Sequence, residues 1–268
     1  MATKEFPLVP EEVPAVETKY RKISTAIPVP ESIDTLKKLR DLEPRSMGGQ
    51  PPIIWNGGDG FTVRDAYGNQ WLDFSAGVLV TASGHGRKEI VDAIKAKADE
   101  GLYHAYCFPT DIRLQLIEEL TSFLPEPLKR VFLLTTGSEA TECCIKLART
   151  RGMEVGGKSK AVLVTFINAF HGRTLGAQLA GGSPGLKEWI GDLDPRFVQV
   201  PYPDGFRQKD VSFAVFEKSL AEQGIDPDDV CGVMSETYQG GNATLMPAEY
   251  AQALRKWCDD HKAVLIFD

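Results

Sequence analysis

The feature that most limits how this chain can fold is an alternation, from about Asp111 onward, of amphipathic helical runs with apolar runs too short to be helices. A helix over Asp111 to Phe123 places Ile112, Leu116, Leu120 and Phe123 on one side, and Pro125 stops it. Strands are predicted at Arg130 to Thr136, Ala161 to Phe166, Phe197 to Val200, Val230 to Ser235 and Ala263 to Phe267. Between them fall three further helices. The first opens at Gly137-Ser138 with Ala140, Cys143, Cys144, Leu147 and Ala148 on one face, and the second lies near Val211 to Gln223. The third covers Pro247 to His261, with Tyr250, Ala253, Leu254, Trp257 and Cys258 in the same pattern. Strands that alternate with helices in this way predict an α/β fold, a mostly parallel central sheet flanked by helices. Ligands of such a sheet lie beyond the carboxyl ends of its strands.

Upstream the texture differs. Residues 1–50 are rich in Pro, Glu and Lys and read as an N-terminal arm with a short helix near Ile33 to Leu39. Residues 51–105 read as a smaller segment, in which Phe61 to Asp65 and Gln70 to Phe74 flank a Gly-containing turn as a hairpin. A helix follows with Ile90, Ala93, Ile94 and Ala98 on one face and Gly101 as its stop. Residues 106–268 then form the large domain. A formal net charge of −7 repels a phosphate backbone, so no nucleic-acid partner is expected. The five cysteines include no C-x-x-C pair and are odd in number, as reduced thiols are. No apolar run approaches the roughly 18 residues of a membrane helix, and the Pro- and Glu-rich start is no secretory signal. A cytoplasmic protein with no membrane partner is the expectation.

Gly152 to Ser159 satisfies the G-x-x-x-x-G-K-[ST] pattern of nucleotide-binding loops. That loop works only when a strand precedes it and a helix follows, so that amides and helix dipole meet the phosphates. Here the order is reversed, and a helix-to-strand connection is the better reading. The required context belongs instead to Leu134 to Ala140, where a strand runs into a helix through Gly137 and Ser138. Ser138 can cap that helix, or it can turn its hydroxyl and the first-turn amides toward an anion. Asn168 to Thr174 follows the next strand and carries Phe170 and His171 to the same sheet edge. Phe170 can cover a flat ring, whereas His171 alone could equally be a structural residue. Glu236 and Asp268 end two further strands. Neither has a His or Cys nearby at a metal-ligand spacing, so no metal is assigned.

A phosphate cradle, an aromatic cover and acidic groups at neighbouring strand ends suit a phosphorylated planar cofactor that needs an anion opposite its phosphate. Pyridoxal 5'-phosphate has those properties: a carboxylate against its ring nitrogen keeps the ring an electron acceptor.

With these residues in place, the sequence resembles the class III aminotransferases, the ornithine and 4-aminobutyrate type of pyridoxal phosphate enzyme. The resemblance runs from about Pro52 to Asp268. Its marks are Asp65 to Gly77, Thr136-Gly137-Ser138-Glu139-Ala140, Phe170-His171-Gly172-Arg173-Thr174, Glu236 with Gln239-Gly240, and Leu265 to Asp268. It implies the transferase fold type I and transfer of an amino group from an amine or amino acid to a 2-oxo acid. It also implies that Gly137 and Ser138 hold the phosphate, Phe170 stacks on the ring with His171 beside it, and Asp268 binds the ring nitrogen. Glu236 would line the site and Val78 the substrate pocket. Members of the family are homodimers or higher homo-oligomers.

Some positions depart from the family pattern. Glu236 is followed by Thr237 instead of Pro, and Gly84-His85-Gly86-Arg87-Lys88 replaces Gly-His-x-His-Pro. Gly241 stands where relatives acting on 4-aminobutyrate or ornithine often carry a glutamate. The resemblance also places the Schiff-base lysine beyond Asp268, so no lysine here fills that role, and the 268 residues alone are expected to be inactive. Two alternatives stand beside the aminotransferase reading: a truncated, noncatalytic homologue that binds or dimerises, and a racemase or decarboxylase on the same fold.

Overall fold

The computed structural model describes residues 5–268, the side chain of Arg45 excepted, so the first four residues of the arm lie outside it. The chain forms two compact units, Met1–Phe123 and Leu124–Asp268.

In the first unit the arm supplies β1 (Val16–Glu17) and β2 (Lys22–Ile23), followed by α1 (Ile33–Leu42). The expected hairpin is β4 (Thr62–Arg64) with β5 (Gln70–Leu72), and β3 (Gly57–Asp59) pairs with β4. Together they make a five-stranded antiparallel sheet in the order β1-β2-β5-β4-β3. Buried Asn69 ties the arm down: its Oδ1 accepts from the Ser24 amide at 2.8 Å, and its Nδ2 donates to Thr25 Oγ1 at 2.8 Å. Arm and hairpin therefore share one set of buried polar bonds. Next come the short turn α2 (Ala76–Leu79), α3 (Lys88–Asp99) and α4 (Asp111–Phe123). Gly101 follows α3 at a φ of 74°, the left-handed conformation that ends a helix cheaply when the residue is glycine.

The second unit is the parallel α/β layer. It contains α5 (Gly137–Gly156), β6 (Val162–Phe166), α6 (Leu175–Ala180), β7 (Phe197–Val200), α7 (Ala214–Glu222) and β8 (Val230–Ser235). A small hairpin of β9 (Tyr238–Gln239) and β10 (Thr244–Leu245) precedes α8 (Ala248–Asp260) and β11 (Val264–Phe267). The sheet order is β11-β8-β6-β7, parallel throughout. Both β6 and β8 are buried at every residue, as strands covered on both faces must be. One face packs Val162, Val164 and Phe166 against Phe216 and Leu220 of α7 and Tyr250, Leu254 and Trp257 of α8. The other packs Leu163, Cys231, Met234 and Ile266 against Ile145 and Ala148 of α5.

The alternation of faces breaks once. Val162 lies opposite Val230, but Leu163 lies opposite Gly232, so Cys231 is an extra residue in the ladder. This bulge lets Val230 and Val233 share one face while Cys231 and Met234 share the other.

Two expectations are corrected. Arg130 to Thr136 is not a strand: it pairs with no strand among the described residues, and Phe132 and Leu133 are exposed. Apolar patterning signals a strand, but only a neighbouring backbone can complete one. The helix cap is Thr136, not Ser138, for the Thr136 side chain accepts from the Glu139 amide. Gly152 to Ser159 does connect a helix to a strand. Gly152 lies inside α5, where an added Cβ would stand 2.2 Å from the Lys160 carbonyl, so glycine is required for the turn into β6. No described helix is long and apolar enough to cross a membrane.

Candidate functional site

Because the strands run parallel, their carboxyl ends share one edge, and four segments meet there. The first is the start of α5. Thr136 Oγ1 accepts from the Glu139 amide at 3.2 Å, and Glu139 Oε2 accepts from the Thr135 amide at 2.9 Å. This variant of the capping box, in which the glutamate reaches the residue before the cap, leaves the amides of Gly137 and Ser138, the first two helical residues, with no protein acceptor among the described residues. A Cβ built on Gly137 would meet nothing within 4 Å. The first turn thus presents free donors, an open approach and the positive end of a 20-residue helix.

The second segment is the loop after β6. Gly172, at a φ of 125°, lies so close to α5 that an added Cβ would be 2.3 Å from Ser138 Oγ. Ser138 Oγ also accepts from the Arg173 amide at 3.3 Å, which leaves the hydroxyl hydrogen free to donate elsewhere. The loop holds Phe170 about half exposed, while His171 is buried.

Glu236 and Asp268 supply the remaining two segments. The Asp268 amide donates to the Ser235 carbonyl at 2.9 Å, extending the β8 to β11 ladder by one residue and placing the two acids at adjacent strand ends. His171 Nδ1 lies 2.8 Å from Asp268 Oδ2; a carboxylate accepts only, so that nitrogen carries the hydrogen. The Nε2 atom is buried without a partner. Glu236 accepts from the Phe170 amide through Oε2 and from the Gly240 amide through Oε1, both at 3.3 Å. Burial pushes the Glu236 carboxyl above its ordinary range, against the opposing pull of those amides. Tyr202, buried and near Glu236, is pushed up to about 12.

The structure therefore gathers Gly137, Ser138, Phe170, His171, Glu236 and Asp268 at one sheet edge. Val78 belongs to the other unit, in α2, where Ala76, Gly77, Val78 and Leu79 all have positive φ. That turn is braced by Asp73, which accepts from Ser75 Oγ and the Gly77 amide and lies 2.7 Å from His85 Nε2. Hydrogen bonds from Ser75 and His85 hold the Asp73 carboxyl well below the usual carboxylate range. Gly241 packs on the loop after β6, where a Cβ would stand 2.7 Å from the Asn168 carbonyl, so this backbone leaves no room for a glutamate. Among the described residues no cluster of three or more His, Cys, Asp or Glu could hold a metal ion.

The sequence motifs do not single out the cap pair of α5 or Glu142. The T-x-x-E spacing of Thr136 and Glu139 marks the cap, two residues ahead of Ser138. Glu142 carries no motif signal, because its partners Thr174, Gly176 and Ala177 lie 32 to 35 residues along the chain.

Residues 46–268 match the family model "Aminotransferase class-III". The chain is 33% identical over 216 residues to the acetylornithine aminotransferase of Vibrio vulnificus, covering 79% of this chain and 49% of that protein. It is 32% identical over 218 residues to the acetylornithine aminotransferase of Methanopyrus kandleri, covering 81% and 51%. It thus spans about half the length of the curated relatives it matches. Among solved structures, taurine:2-oxoglutarate aminotransferase from Bifidobacterium kashiwanohense, in complex with PLP and glutamate, superposes with a TM-score of 0.76 at 25% identity, covering 88% of this chain and 55% of that one. An (S)-enantioselective omega-transaminase from Thermomicrobium roseum gives 0.78 at 24% identity, covering 88% and 56%, a likeness of fold. On the strength of these matches and the motifs that carry them, the chain belongs to the class III aminotransferase family.

Proposed function

We propose that the protein serves as a pyridoxal phosphate-dependent aminotransferase, moving an amino group from an amine or amino acid to a 2-oxo acid. The observation that carries this reading is the Asp268 carboxylate, held by His171 at the same sheet edge as the free amides of Gly137 and Ser138. A planar ring with an anionic tail at one end and a basic nitrogen at the other matches those donors and that acceptor in kind.

In this reading Gly137 and Ser138 bind the phosphate through their amides and the Ser138 hydroxyl. Phe170 covers a ring face and excludes water from it. Asp268 accepts the hydrogen of the ring nitrogen, and His171 steers the carboxylate. Glu236, tied to the backbone on both sides, walls the site beside the ring. When bound, the cofactor supplies an electron-accepting ring that stabilises negative charge on the substrate carbon. Val78 is assigned to the substrate pocket, and the working form is a homodimer in the cytoplasm.

Binding of pyridoxamine 5'-phosphate, followed by calorimetry, tests the reading without requiring turnover. The wild-type protein is expected to bind it, and Asp268→Asn to bind at least about tenfold more weakly, since a charge-assisted hydrogen bond is lost. Equal binding by the two proteins would overturn the assignment.

A further inference from the structure

The short helix α6 begins immediately after the loop that carries Phe170 and His171, so whatever fixes its first turn also fixes that loop. Thr174 occupies the cap position of α6, yet its side chain makes no capping bond. The missing acceptor comes from another helix. Glu142 of α5 reaches across and accepts through one oxygen, Oε1, from Thr174 Oγ1 at 2.6 Å, from the Gly176 amide at 2.8 Å and from the Ala177 amide at 3.1 Å. Gly176 and Ala177 are the second and third residues of α6, whose amides a cap side chain normally satisfies. The carboxylate also stands at the positive end of α6. Gly176 has no side chain at the one place where it would obstruct this: an added Cβ would lie 2.3 Å from Glu142 Oε2.

Ser138 and Glu142 are four residues apart on α5 and so share a helix face. Ser138 grips the loop at Gly172 and Arg173; Glu142 grips it at Thr174 and Gly176. One face of one helix therefore holds both the anion-binding first turn and the far end of the ring-covering segment.

We propose that Glu142 is a positioning residue that sets the Phe170-His171 segment against the anion-binding turn of α5, so that a ligand's ring and its phosphate are received together. The inference rests on the proposed cofactor site. It differs from that proposal in predicting that the ring end of the site can be loosened while the phosphate end stays intact.

The test compares pyridoxamine 5'-phosphate with inorganic phosphate as probes of the wild-type protein, Glu142→Ala, Glu142→Gln and Thr174→Val. Pyridoxamine phosphate reports both ends of the site, and inorganic phosphate reports the turn alone. Glu142→Ala is expected to lose about five- to tenfold in affinity for pyridoxamine phosphate, and to lose most of the circular dichroism that the site induces in the bound pyridine ring. Its affinity for inorganic phosphate should stay within about twofold. Glu142→Gln keeps the Oε1 acceptor and should restore both ring readouts. Unchanged ring signals in Glu142→Ala would overturn the inference, and so would an equal loss for both probes, which denotes a general structural role. If Glu142→Ala does not fold, Thr174→Val decides: a weakened ring signal with normal phosphate binding supports the inference, and an unchanged ring signal overturns it. Failure of the wild-type protein to bind pyridoxamine phosphate would instead count against the cofactor site itself.

Discussion

Nδ1 of His171 lies 2.8 Å from Oδ2 of Asp268, joining the loop after β6 to the end of β11 across the intervening strand β8. The imidazole is buried and the carboxylate partly exposed, so the bond fixes the direction of an acid that keeps one side open to a ligand. Replacing His171 with Leu removes the donor. Hydrogen bonds to charged groups contribute roughly 1.5–3 kcal/mol, and the partial exposure of Asp268 puts this one at the low end. A fall of about tenfold in affinity for pyridoxamine phosphate is expected by calorimetry, with affinity for inorganic phosphate unchanged.

The capping box and the anion-binding turn are separable. Thr136→Ala removes the cap and should cost about 1 kcal/mol of stability in a denaturant titration. Ser138→Ala should shift that midpoint less, because the serine hydroxyl caps nothing in α5 and loses only its 3.3 Å bond from the Arg173 amide, yet it should weaken phosphate binding severalfold. The opposite pattern would restore Ser138 as the cap.

Gly172 allows the loop after β6 to press against Ser138 at a φ that side chains rarely adopt. Gly172→Ala adds both backbone strain and an overlap with Ser138, and a loss of about 1–3 kcal/mol is expected. Thermal unfolding measured with and without phosphate would show whether the anion site is damaged in parallel.

Glu236 gives the site a dependence on pH. Its folded carboxyl is raised above the ordinary value of 4.5 by burial, so the folded state holds its proton more tightly than the unfolded state does. The resulting contribution to stability is complete below the unfolded value and is lost as pH rises through the folded one. The stability of wild type relative to Glu236→Gln should therefore decline as pH is raised from 4.5 toward neutrality, measured by urea unfolding at a series of pH values. A difference that grows with pH would contradict the burial argument.

The helix at Asp111–Phe123 and the strands at Phe197–Val200 and Val230–Ser235 were legible to the residue, because their patterns are local and their neighbours agree with them. The sheet edge that gathers Gly137, Phe170, Glu236 and Asp268 was legible too, since parallel strands place their carboxyl ends together. What could not be read was whatever depends on a partner far along the chain. Arg130 to Thr136 has a strand's composition but no neighbouring ladder among the described residues, and β1 and β2 sit in a Pro- and Glu-rich arm yet pair with each other and, through β2, with the hairpin. Glu142 resembles any solvated helix glutamate until the fold brings α6 to it.

The bulge in β8 gives that strand one residue of slack. A chain lacking Cys231 would bring Val230 and Gly232 into regular register with Val162 and Leu163 while Val233, Met234 and Glu236 kept their present directions. Loss of a single codon elsewhere in β8 offers no such compensation, for it must either turn the strand's later side chains to the wrong face or remove a residue that the ladder counts. Tolerance to deletion in the innermost layer of this protein should therefore be concentrated at one cysteine, whose side chain the second core cluster would forfeit.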